Sequence, residues 1–354
     1  MALPTEPIGS IPRPAALQEG LVQFAVGAIG PEQLTELQDA ALVDTITRFE
    51  QTGSPVLADG EQSKPSYVSY PIAGLTTLGP GGAVIPFADG HIRQLPVLAA
   101  GPFRYQVHAA SYLARARQLT TRPVKQAVIA PSALSLLYPP GGLAGYSREQ
   151  FTADLVNESE TDIRRCLDGG AAAVQLDFTE GRLSLKLDPS GDLLQHFIDL
   201  NNQVLDRFSD TERQLIGVHT CPGGDRDSAH SLDVDYAGLL PRLFSLRAGN
   251  FYLQLASEAR PRQVLDIVRE HVRADQRIFV GVTDPADPVL ETPEQIRDRI
   301  LTAAEYIPAN RLGSCDDCGF SPFADDTSTS RDLAFAKISA RVEGTELAAS
   351  TLGI

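Results

Sequence analysis

Short apolar runs recur along the chain, separated by longer stretches of helical period. Apolar runs of about four to eight residues bounded by turn formers read as buried strands, whereas apolar positions spaced by three and four read as helices. Seven of the runs cover 7–12, 55–61, 124–130, 172–178, 250–256, 277–283 and 310–315. An eighth, falling fifth in order, begins at Leu215 and ends in His219-Thr220-Cys221-Pro222-Gly223-Gly224. Helical patterns lie between them: 31–50 with Pro31 in its first turn, 106–119, a long helix ending at Gly169-Gly170, and a last one over 328–348.

Eight strands alternating with helices predict an α/β fold, a (β/α)8 TIM barrel built as a single domain over 1–354. The rival, a doubly wound open sheet, lacks the glycine-rich nucleotide fingerprint after its first strand. One segment breaks the alternation. Residues 64–105 are rich in Gly and Pro, and 83–87 and 92–98 flank Ala88-Asp89-Gly90, which predicts an inserted β-hairpin arm after the second strand.

Polar residues fall late in their runs: Ser10, Asp59 with Glu61, Asp177, His219 with Cys221, and Gln254. The C-terminal strand ends of such a barrel form one mouth, where active sites lie. Side chains two apart on a strand share a face, so His219 and Cys221 point the same way. Taken singly, each is more often a core residue. Together, ahead of a Gly-rich loop, they read as two metal ligands. Cys315-Asp316-Asp317-Cys318-Gly319 offers a third, with Cys318 ranked ahead of Cys315 because its loop lies past the last strand. One imidazole and two thiolates suit Zn2+, and a catalytic zinc keeps a further position open. Asp59 reads as a helix cap, while Glu61 and Asp177 are placed to hold a cationic or hydroxyl group of a substrate. Arg13, Lys64 and Arg182 are candidates for an anionic substrate tail. Asp225 and Asp227 read as a solvated loop, and Cys166 as core.

A formal net charge of −15 argues against nucleic acid or an anionic membrane as partner. No apolar run is long enough to span a bilayer, and the first residues do not read as a signal peptide. Four cysteines in 354 residues are no disulfide framework, so a cytoplasmic location with free thiols is expected. Nothing in the sequence excludes a homo-oligomer.

The motifs Ile8-Gly9-Ser10, Asp59-Gly60-Glu61, Gln175-Leu176-Asp177, His219-Thr220-Cys221 and Asp317-Cys318-Gly319 occur in that order on successive strand ends. With them the chain resembles the catalytic C-terminal barrel of cobalamin-independent methionine synthase over nearly its whole length. The resemblance implies zinc on His219, Cys221 and Cys318, and the amino-acid part of homocysteine on Ser10, Glu61 and Asp177. Gln254 stands where that family has a fourth zinc ligand, a glutamate, and Ala286 stands at about the place of its proton-donating histidine. The stretches around Cys221 and Cys318 are also similar to epoxyalkane:coenzyme M transferase, a relative on the same scaffold. The expected chemistry is alkylation of a metal-activated small thiol, coenzyme M or homocysteine, by an epoxide or a methyl donor, with the epoxide reading placed first. Asp177, Asp284 or a tyrosine of the arm would protonate an opened epoxide.

Overall fold

The computed structural model describes residues 3–354. Six strands form one parallel sheet in which each pairs with its neighbours in sequence. They are β1 (Lys125–Ile129), β2 (Ala173–Asp177), β3 (Ile216–Thr220), β4 (Asn250–Leu253), β5 (Arg277–Thr283) and β6 (Leu312–Asp316). All residues of these strands are buried except Arg277, which explains why they appear as continuous runs and not as alternating patterns. Helices cover the outer face. Those at Arg148–Asp168 and Pro293–Ala304 begin at Ser147 and Thr292, whose hydroxyls accept from the third residue's amide while that residue's side chain answers in return. The closing helix, Arg331–Leu352, is capped by Ser330.

The barrel closes through two segments that form bridges, not ladders. Thr5 pairs with Ser314 of β6, and Leu57 with Val124 beside β1. Between the two segments, the Ile11 amide donates to Gly60 O at 3.0 Å. The eight-strand expectation is corrected here to six regular strands plus two bridging segments. Pro4, Pro7 and Pro12 have no amide hydrogen to give a ladder. In the second segment Gly60 and Glu61 both have positive φ, 64° and 59°, which turns the chain away from its neighbour.

Other boundaries shift by a few residues. The helix expected over 106–119 is regular only at Ala110–Arg117, and the last helix runs on to Leu352. β4 stops at Leu253, so Gln254 already lies in the exit loop. Within 64–105, Val84–Pro86 pairs antiparallel with Ile92–Gln94, and Leu78–Gly79 with Val97–Leu98. This segment lies against loops of the barrel mouth: the Tyr67 amide donates to Pro322 O at 3.2 Å, and Ala88 to Ala229 O at 3.2 Å. Among the described residues, no helix is long and apolar enough to cross a membrane.

Candidate metal and thiol centre

Parallel register puts Asp177 of β2 directly opposite His219 of β3. Their side chains meet there, with His219 Nδ1 at 3.1 Å from Asp177 Oδ1. The same carboxylate oxygen accepts from Gln175 Nε2 at 2.8 Å, and Gln175 also donates to Ile8 O at 3.0 Å. The imidazole is therefore held by Asp177 at Nδ1, while Nε2 lies 3.4 Å from Asp317 O.

Two residues on, Cys221 begins the loop after β3, and its sulfur accepts from the Gly223 amide at 3.4 Å. Cys318 arrives from the loop after β6, with Sγ 3.1 Å from Cys221 Sγ. That loop is pinned by the first segment: Phe320 donates to Ser10 O at 3.0 Å, and Ser321 to Ser10 Oγ at 3.2 Å. A side chain on Gly319 would collide with the Ser10 hydroxyl, so glycine at 319 permits this approach. The donor atoms of His219, Cys221 and Cys318 all lie within 4.8 Å of one another. Cys315 is not with them. It is fully buried inside the barrel beside Ile8, Tyr252 and Phe279. Cys166 is buried as well, in the helix Arg148–Asp168.

The electrostatics of the three are linked. The bond from Cys318 lowers the Cys221 thiol well below its ordinary value, against burial and with help from His219. Cys318 moves well up, because it keeps the proton of that bond and is buried. Burial opposes a charged His219, yet Cys221 and Asp177 outweigh it and raise the imidazole to about 10. One nitrogen and two sulfurs thus meet in a buried site, a donor set that fits a bound Zn2+.

A small cavity next to these donors is lined by Ser10, Glu61, Tyr67, Asp177, Thr179 and His219 among others. Glu61 Oε1 takes a 3.1 Å ion pair from Lys64, while Glu61 Oε2 is buried with no partner. Burial and the neighbouring acids push Glu61 up, with Lys64 opposing. Tyr67, from the 64–105 segment, is inconspicuous in the sequence yet lines this cavity. Its hydroxyl lies 2.9 Å from Thr179 Oγ1.

The three basic candidates for an anionic tail all have partners within the protein. Arg13 is buried and gives its guanidinium to the carbonyls of Glu61 (2.7 Å), Lys64 (3.1 Å) and Ser321. Lys64 donates to Ala127 O at 3.0 Å in addition to Glu61. Arg182 pairs with Glu258 and lies 3.9 Å over the Tyr236 ring. The solvated reading of Asp225 is corrected. It is buried, and it accepts from Arg93 (2.5 and 3.1 Å) and meets His91 Nε2 at 3.0 Å, tying the 84–94 ribbon to the loop that follows Cys221. Asp227, its neighbour, is exposed.

One residue of this region is inconspicuous in the sequence. Asp317, beside Cys318, accepts from the amides of Leu255 (2.8 Å), Ala256 (2.9 Å) and Ser257 (2.8 Å), and from Ser257 Oγ at 2.7 Å. It ties the loop carrying Gln254 to the loop carrying Cys318. Gln254 donates to Ser257 Oγ at 2.6 Å, and its Oε1 is buried without a partner.

The family model described as the cobalamin-independent synthase, catalytic domain, matches residues 3–340. The chain belongs to that family. Methionine synthase of Sulfurisphaera tokodaii is 22% identical over 350 residues, covering 98% of this chain and 92% of the relative. That of Saccharolobus solfataricus is 21% identical over 352 residues, covering 98% and 94%. Among solved structures, a B12-independent methionine synthase from Shewanella sp. W3-18-1 in complex with selenomethionine superposes with a TM-score of 0.79 at 19% identity, covering 99% of each chain. A methyltransferase from Methanosarcina mazei gives 0.53 at 13% identity, covering 97% and 94%. These likenesses establish the barrel fold and the cobalamin-independent synthase family for this chain.

Proposed function

We propose that the protein is a zinc-dependent alkyltransferase that methylates a small amino thiol of the homocysteine class. The observation that carries this reading is the convergence of two sulfurs and an imidazole beside a buried, half-committed carboxylate. His219, Cys221 and Cys318 would hold the metal, which when bound lowers the pKa of a visiting thiol and so supplies a nucleophile at neutral pH. The chain's own residues do the rest. Asp177 fixes the imidazole through its 3.1 Å contact. The free Oε2 of Glu61 is placed to accept an ammonium group, with Asp177 in the same wall. Ser10 holds the Cys318 loop against this cavity.

The same geometry favours homocysteine over coenzyme M and reverses the order expected from sequence. A sulfonate needs an uncommitted cation. Arg13, Lys64 and Arg182 are spent on carbonyls and carboxylates, and among the described residues lining the small cavity none is basic except His219. The methionine synthase relatives agree in naming the product that methylation of homocysteine would give. The test is a thiol panel offered to the zinc-loaded protein with a methyl donor, read by mass spectrometry. The reading expects S-methylation of homocysteine above that of coenzyme M. Alkylation of coenzyme M alone would refute it.

A further inference from the structure

A larger cavity opens on another side of Cys318, walled by the loop from Gly224 to Leu232, the exit of β4, the turn after β5 and the segment from Asp317 to Thr329. Its wall contains Asp225, Asp227, Asp284, Asp317 and Asp326, and one cation, Arg226, which is paired with Asp325 at 2.8 Å. Three of these acids are used within the protein. Asp225 is held by Arg93, Asp317 caps the 255–257 backbone, and Asp326 accepts from Ser328 and from the Arg226 amide. Asp227 and Asp284 are only lightly engaged: Thr329 Oγ1 lies 3.4 Å from one, and the Ala286 amide 3.0 Å from the other. Gln254 adds an independent sign of a ligand. It is 2% exposed, stands in this wall, and its Oε1 has no partner. A buried acceptor left open calls for a positive or proton-bearing group opposite it.

Carboxylates and an open carbonyl oxygen in one wall, with the one cation among its described residues already paired, repel an anionic reactant and attract a cationic one. We propose that this cavity seats a small onium methyl donor, a sulfonium or quaternary ammonium, whose positive centre faces Asp227, Asp284 and Gln254 Oε1. The proposal rests on the thiol reading above and names the donor class for it. The thiolate lone pair forms the new S–CH3 bond. The old bond from methyl to the onium sulfur or nitrogen breaks, its electron pair stays on that atom, and a neutral sulfide or amine departs. No proton moves in this step. The step also cancels a negative against a positive charge, which a water-poor cavity assists.

The test uses the full zinc-loaded chain with homocysteine and three donors at equal concentration: trimethylsulfonium, methyltetrahydrofolate as the anionic donor, and epoxypropane as the neutral one. Unreactive tetramethylammonium is titrated separately by calorimetry. The proposal expects trimethylsulfonium to transfer fastest, by about tenfold or more, and tetramethylammonium to bind and to compete with it. The D227N/D284N double variant should raise the KM for trimethylsulfonium about tenfold while the KM for homocysteine stays put. Faster transfer from the folate or the epoxide would overturn the proposal, as would an unchanged onium KM in a folded double variant. Uptake of homocysteine without any donor reads the thiol site alone. If that uptake is seen while neither onium binds, this proposal falls and the thiol reading stands. If uptake is absent, the tetramethylammonium titration still decides whether the cavity takes a cation.

Discussion

The sulfurs of Cys221 and Cys318 lie 3.1 Å apart, although 97 residues separate them in the chain. This distance is well beyond the roughly 2.05 Å of a covalent S–S bond, and both cysteines are free. Only the closure of the barrel brings the β3 exit and the β6 exit to one mouth. Removing any one of the three donors, His219, Cys221 or Cys318, should remove the metal. Cys221→Ser and His219→Ala are each expected to lower bound zinc from about one per chain to a small fraction, with thiol alkylation lost in parallel. Elemental analysis of the purified variants, alongside their circular dichroism, checks this. A variant that keeps full activity without metal would refute the assignment.

Asp317 gives a prediction about positioning. Asp317→Asn replaces one acceptor oxygen by an NH2 that faces amide donors at about the same distance as its neighbour. The β4 exit loop should loosen, and metal affinity should fall by roughly 10- to 100-fold, the usual cost of disturbing groups that orient ligands. Competition with a chelator measures it. Unchanged affinity would show that the loop is held by other contacts.

Glu61 tests which thiol the site accepts. Its free Oε2 is placed for an ammonium group, so Glu61→Gln should raise the KM for homocysteine by roughly 10- to 100-fold. A thiol of similar length without the amino group, 4-mercaptobutyrate, should show little change. The comparison separates lost recognition from general damage, since Lys64 also loses its buried partner in this variant. Equal effects on both thiols would remove the amino-group role.

A buried acid outside the centre sets part of the pH dependence of stability. Glu180 bonds the Ser132 hydroxyl through one oxygen, and its other oxygen is buried without a partner. Burial raises it from its ordinary 4.5 to about 8, with the Ser132 bond opposing. Between those values the folded state holds a proton that the unfolded state has released, so stability falls as pH rises through the window and levels off above it. Glu180→Gln should therefore match the parent protein near pH 4.5 and exceed it at pH 9 by up to a few kcal/mol. Denaturant midpoints at the two pH values provide the check, and a constant difference would contradict it.

Much of this arrangement is legible in the sequence, for identifiable reasons. The β3 run stops being apolar at His219, two residues before Cys221, so both fall at the exit end. Asp177 closes β2 in the same way, and parallel pairing in register brings it to His219. What the sequence hides is the state of each charged group. Arg13 and Arg182 look like free cations until the fold shows them bonded to carbonyls and to Glu258. Asp225 looks solvated until Arg93, 132 residues away, is found against it. Asp317 sits beside a more conspicuous cysteine, and its role depends on three amides of a different loop. The first two runs read as strands because their apolar content is right. Their prolines and the left-handed turn at Gly60-Glu61 limit them to bridges.

The most direct test of the central claim is X-ray absorption at the zinc edge, on the purified protein before and after addition of homocysteine. The account predicts a shell with two sulfurs and one imidazole nitrogen that gains a third sulfur when the thiol is added. A shell already closed by protein ligands and unchanged by the thiol, or a protein that binds no zinc, would contradict it.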